Sequence, residues 1–138
     1  MNRSDFQDLS ELHLQHAKAL LDAELYSGVY YMCGYVVECA LKACICKRTR
    51  QDDFYPRQDE ARKAWSHERR HLIGLAGVGK EIDDDRRADG TLNIYWKEVE
   101  AWTLESRYEK HSQQEAESLY DAVSNPVHGV LACIKRHW

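Results

Sequence analysis

Tyr26 to Ala43 reads YSGVYYMCGYVVECALKA, and at about 100° per residue Val29, Cys33, Val36, Val37, Ala40, Leu41 and the following Cys44 fall on one broad stripe. The spacing predicts a helix over residues 27–48 with that stripe facing the core. Its other side is not a plain solvent face, because Tyr31, Tyr35, Glu38 and Lys42 gather there with Met32 and Cys39 beside them. A helix that is apolar or aromatic nearly all round needs cover on two sides. Helices of the same chain can supply the second cover, and so can a second copy in a symmetric homodimer. Gly28 and Gly34 each cost about 1 kcal/mol relative to Ala inside a helix, which points to close packing against a neighbour. The tail Lys47 to Arg50 suits the negative end of the helix dipole.

Working outward, residues 5–25 carry Leu9, Leu12, His16, Ala19, Leu20 and Ala23 at helical steps, with Ser4 and Gln7 spaced as a capping box that starts a helix near Asp5. Residues 49–66 show no sustained period and predict a loop, with one short helix around Asp59 to Trp65. A short helix near Glu68 to Val78, a solvated connection through Asp83 to Gly90, and a helix from Leu92 to Trp102 built on Ile94, Tyr95, Val99 and Trp102 follow. Ser112 and Glu115 form a second capping box, after which Ala116, Leu119, Val123, Val127, Val130, Leu131 and Ile134 extend one last helix that Pro126 should kink.

The chain has 138 residues, the size of one domain, and residues 1–138 are read as a single unit. At that length roughly 70% of the unfolded surface is hidden, so neither disulfide nor metal is needed to hold the fold. Only 7 Gly and 2 Pro speak against a turn-dense β architecture. The fold class expected is all-α, an up-and-down antiparallel bundle of four or five helices. A net charge of −4 gives no global attraction for polyanions. Apolar residues are too interrupted to suggest a membrane span of about 18 residues, and the opening MNRSDFQDLSELH has no apolar leader segment, so a cytoplasmic location is expected. Five cysteines (Cys33, Cys39, Cys44, Cys46 and Cys133) then read as free thiols.

Two motif matches weaken on inspection. His67-Glu68-Arg69-Arg70-His71 has the H-E-x-x-H spacing of a zinc helix, but its inner pair of arginines would oppose Zn²⁺ and Gly77 stands where a third histidine would follow. Gly74 to Lys80 matches G-x-x-x-x-G-K, yet Glu81 replaces the Ser or Thr that would hold Mg²⁺, which leaves a glycine-rich helix end. Cys44 and Cys46 point some 200° apart on a helix and cannot grip one ion. No metal-ligand set and no cofactor are read from the sequence. His16 is read as a hydrogen-bonded core histidine.

The helix from Tyr26, with its glycines and tyrosines running into Glu38-Cys39-Ala40-Leu41-Lys42-Ala43, resembles the signature of the HEPN domain family. His71-Leu72-Ile73-Gly74-Leu75 is similar to that family's His-x-x-x-Leu turn, Trp102 to Tyr108 to its Trp and Arg-Tyr block, and Ala116, Leu119, Tyr120 and Val123 to its closing helix. The resemblance implies a helical bundle that often dimerises, a place in prokaryotic toxin–antitoxin or defence systems, and a small nucleotidyltransferase as partner. It also implies, for many members, a metal-independent ribonuclease built on an Arg and a His four to six positions apart on a late helix. This chain departs from that pattern: His128 has no Arg at the required offset, Arg62 and His67 lie in an early loop, and Arg107 and His111 have three residues between them.

Two functions stay open at this point. As a binding module the chain would hold a nucleotide, an RNA segment or a partner protein, with Lys42 and Arg107 as phosphate contacts, Tyr31, Tyr35 and Tyr108 as aromatic surfaces, and Glu38 beside them. As a ribonuclease it would use His111 as base and Arg107 to stabilise charge, provided that both reach one groove.

Overall fold

The computed structural model describes residues 1–49 and 66–138. Among them run α1 (Arg3–Asp22), α2 (Tyr26–Arg48), α3 (Arg69–Ala76), α4 (Gly79–Ala88), α5 (Gly90–Glu100), a 3₁₀ helix (Leu104–Tyr108), α6 (Gln113–Ser124) and α7 (Val130–Lys135). The all-α class holds, with more and shorter helices than the four or five expected. The short helix expected at Asp59 to Trp65 and Arg62 lie outside the described residues.

α2 is the axle of the bundle: α1, α3, the 3₁₀ helix, α6 and α7 all pack on it. Every residue of its predicted stripe from Val29 to Cys44 is buried, as are Glu38 and Lys42 on the other side. By hydropathy this helix could cross a bilayer, contrary to the sequence reading, but 78% of its apolar window lies inside the fold, as fits a core helix. Gly34 explains its presence. A Cβ built there would lie 2.0 Å from Trp102 Cε2, so the indole rests directly on the helix backbone, and its Nε1 donates to the Tyr30 carbonyl at 3.0 Å.

α1 departs from its reading in two ways. Asn2 is the N-cap: its side chain accepts from the Asp5 amide, and the Asp5 carboxylate accepts from the Asn2 amide. Asn caps as well as Ser does, and an acid in the first turn also suits the helix dipole, so the helix begins at Arg3 instead of near Asp5. The buried line is Phe6, Ser10 and Ala17, while Leu12 and His16 are exposed. Apolar count misled here because Ser10 is an inward residue, its hydroxyl donating to the Val36 carbonyl at 2.8 Å.

The expected solvated connection is α4, whose single buried residue is Ile82; too few apolar positions mark its period. Gly77 closes α3 in the left-handed region at φ +68°, confirming a glycine-rich helix end in place of a phosphate loop. The last helix is broken outright, not kinked. Asn125 Oδ1 accepts from the Val127 and His128 amides, and Gly129 passes so near Asn125 that a Cβ would lie 2.2 Å from its carbonyl oxygen. All five cysteines are buried free thiols, and burial pushes Cys33 and Cys44 up to about 12.

Candidate functional site

The second side of α2 supplies a polar and aromatic cluster. One and two turns of helix bring Tyr31, Tyr35, Glu38 and Lys42 into line. The Tyr31 and Tyr35 hydroxyls are 2.9 Å apart, with the rings edge-on at 5.0 Å. Trp102 lies edge-on to Tyr35 at 5.9 Å. Burial, then the hydrogen bond with Tyr31, raises the Tyr35 pKa far beyond its ordinary value, so this hydroxyl is a neutral donor or acceptor and no base.

Lys42 Nζ donates to Glu38 at 2.8 Å, and both side chains are nearly buried, at 9% and 6% exposed. His67 Nδ1 donates to the same carboxylate at 2.9 Å while its ring stays half-exposed. Lys42 also lies 5.9 Å from the centre of the Phe6 ring. A carboxylate held by two cationic or donor groups is thus sealed behind the tyrosines. His13 faces the cluster from α1, 6.1 Å from Tyr35, and burial lowers its pKa, which favours the neutral ring.

Beside this cluster opens a groove of about 690 Å³. His67, Arg69, Arg70, Glu68, Glu100 and Glu105 line it, with the almost fully buried Trp96 and Trp102 behind them. Arg69 is fixed in place: it donates to the Trp102 and Glu100 carbonyls and its guanidinium lies 5.4 Å from the Trp102 ring centre. Burial pulls its pKa down and Glu100 opposes this; a guanidinium keeps its charge regardless.

Arg107 and His111 are not joined in one helical turn. Arg107 lies in the last turn of the 3₁₀ helix and His111 follows in irregular chain before α6. Arg107 packs 4.7 Å from the Tyr108 ring centre and interacts with the Tyr31 hydroxyl, whereas His111 stacks on Tyr30 at 3.7 Å and 11°. Tyr30 and Tyr31 leave α2 about 100° apart, so the two candidates are aimed at different sides of it. His111 is also tied down: its backbone amide donates to Ser27 Oγ at 2.9 Å, and the ring Nδ1 donates to Glu115 at 3.0 Å. These contacts fasten the start of α6 to α2. Tyr108 is 77% exposed and lies at the surface.

Nor do His67 and His71 share a helix face. α3 starts at Arg69, leaving His67 outside it on Glu38, while His71 Nδ1 pairs with Glu68 at 3.3 Å. The sequence reading missed His67 as a partner of Glu38, and missed Arg69 and Trp96 as groove walls. The Trp102 to Tyr108 block was the available signal, since its tryptophan joins groove and cluster.

The HEPN domain family model matches residues 8–128. No curated protein matches the chain, and no solved structure does. The matched span takes in α2 with its Tyr and Glu-x-x-x-Lys cluster, the groove and all of α6, and on that match the chain belongs to the HEPN domain family.

Proposed function

We propose that this HEPN domain is a nucleotide-binding module with little or no catalysis of its own, and that the ligand lies in the groove between His67, Arg69, Arg70, Trp96 and Trp102. The observation that carries this reading is the gathering of His67, Arg69 and Arg70 in one concave space backed by two buried tryptophans. Phosphate oxygens suit guanidinium forks, and the half-exposed His67 ring offers a base an aromatic face. The carboxylates of Glu68, Glu100 and Glu105 would repel a long polyanion, so a mononucleotide or the end of an RNA strand fits better than extended RNA.

Tryptophan fluorescence tests it. Titration with ATP, and separately with a short 5′-phosphorylated RNA, is expected to perturb the emission, and Arg70→Ala should weaken binding about tenfold. Unchanged emission with both ligands would sink the reading. The ribonuclease alternative needs Arg107 and His111 to act together, against the directions in which they point. Purified protein should leave total RNA intact with or without EDTA; strong cleavage that Arg107→Ala and His111→Ala abolish would reverse this judgement.

The family resemblance supports a prokaryotic toxin–antitoxin or defence setting with a small nucleotidyltransferase as partner, and the adjacent gene is the simplest check. A homodimer across α2 would have to use the half-buried Tyr31 and Tyr35, since Glu38 and Lys42 are already covered within one chain. Sedimentation at tens of micromolar is expected to show twice the 16.1 kDa of one chain, and a monomer would remove the dimer from the proposal.

A further inference from the structure

Apart from the residues that line that groove, α4 packs against α7. Cys133 and His137 stand four residues apart, and Asp85 of α4 faces both. Three donors converge on one atom, Asp85 Oδ2: Cys133 Sγ at 3.5 Å, His137 Nε2 at 3.2 Å and Arg136 Nη2 at 3.0 Å. The ligand atoms of Asp85, Cys133 and His137 all lie within 4.8 Å of one another.

These distances can be compared with a zinc tetrahedron. Zn–N and Zn–O bonds of about 2.1 Å and Zn–S bonds of about 2.3 Å give O···N edges of about 3.4 Å and O···S edges of about 3.6 Å. The observed 3.2 and 3.5 Å already match two of the three edges, and the third, between sulfur and imidazole, is no longer than 4.8 Å before any ion draws the two together. A mixed carboxylate, thiolate and imidazole set is the chemistry that selects ions of the zinc type over magnesium or calcium.

A second observation concerns the sulfur. Trp96 is 1% exposed, and its buried Nε1 lies beside the Cys133 sulfur without a hydrogen bond of good geometry. A thiol is a weak acceptor, whereas a metal-bound thiolate accepts from such a donor readily. Burial raises the free Cys133 thiol to about 11, so it is the ion that would draw off its proton, with the indole N–H placed to support the sulfur. Access is available from the outer side, where Asp85 and His137 are partly exposed at 29% and 19%.

We propose that Asp85, Cys133 and His137 bind one divalent transition-metal ion of the zinc type, clamping the end of the chain to α4. On binding, the thiol gives up its proton to solvent, the imidazole binds through Nε2 with its proton on Nδ1, and Arg136, half-exposed at 49%, yields its place on Asp85 Oδ2. Two negative ligands and a neutral one then balance the ion, and a water fills the fourth position.

Cobalt(II) is the direct probe. Titrating the full-length chain, reduced and under argon, should give a sulfur-to-cobalt charge-transfer band in the near ultraviolet that saturates at one equivalent, and zinc should displace it. Cys133→Ser is expected to abolish the band. His137→Gln and Asp85→Asn should each weaken affinity by about tenfold or more, with helix content followed by circular dichroism; because Cys133 is buried, the His137 variant decides if the serine variant does not fold. Absence of the band, its survival in Cys133→Ser on Cys39, Cys44 or Cys46, or full affinity in His137→Gln overturns the proposal. None of these outcomes bears on nucleotide binding at the groove, where fluorescence is read without metal.

Discussion

Glu38 receives His67 at 2.9 Å and Asp89 receives His128 at 2.6 Å, two like contacts in unlike surroundings. Glu38 is 6% exposed and needs Lys42 as well, because a buried carboxylate without a compensating charge is expensive. Asp89 is 29% exposed, and its other oxygen caps α5 by accepting from the Thr91 and Leu92 amides. The difference lies in what water can replace. Around Asp89 solvent can stand in for the histidine; around Glu38 it cannot, so the interior cluster fixes α1, α2 and His67 together while the surface pair merely tidies a helix start.

The sharpest way to break this contrast is Lys42→Ala, which strands Glu38. It is expected to cost about 3–5 kcal/mol in a urea melt, while the double substitution Glu38→Gln with Lys42→Met, which removes the charges together, should recover most of that loss. A single-variant cost under about 1 kcal/mol would show that water reaches the cluster after all. Next in size is Gly34→Ala, whose new methyl must displace Trp102; a loss of about 1–3 kcal/mol is expected, with red-shifted tryptophan emission. Ser112→Ala removes the α6 cap, where Ser112 accepts from the Glu115 amide, and should cost about 1 kcal/mol.

The smallest effect sharpens the Asp89 side. The hydrogen bond from His128, then that from the Leu92 amide, holds the Asp89 carboxyl below its usual range. Its contribution to stability is accordingly complete above an unfolded carboxyl pKa of about 3.9 and fades as pH falls through the lower folded value. Asp89→Asn should flatten that acid limb by removing a small contribution near neutral pH, so that variant and wild type converge as pH falls. An unaltered acid limb would mean that the pair does not form in solution.

Much of the bundle could be read from the chain because α2 carries its instructions locally. Its stripe of Val29, Cys33, Val36, Val37, Ala40, Leu41 and Cys44 needs only the helical period to be seen, and Glu38 with Lys42 needs only the i, i+4 rule. α4 escaped because Ile82 is its lone buried residue, and the Asn125 to Gly129 break escaped because it depends on an Asn side chain gripping two amides, where the proline alone suggested a kink. The groove and the Asp85, Cys133, His137 group were hidden for a different reason. Their facing parts sit some 30 to 50 positions apart in sequence, Asp85 from Cys133 and His137 and Arg69 from Glu100, and no spacing rule joins residues that only tertiary packing brings together. His67 shows the opposite error, since a local spacing tied it to His71 when its true partner lies on α2.

The central place of α2 also sets a hazard for the newborn chain. α1 and α2 leave the ribosome before α6 and α7 and can close at once as a hairpin through the short Ala23 to Leu25 turn. The surfaces that α6 and α7 will cover must wait until those helices are translated, on the order of ten seconds later. During that interval Val36, Ala40 and Cys44, all destined to be fully or almost fully buried, stand open to other nascent chains. Expression at low temperature or with abundant chaperones should therefore raise the soluble yield of this protein more than any surface substitution would.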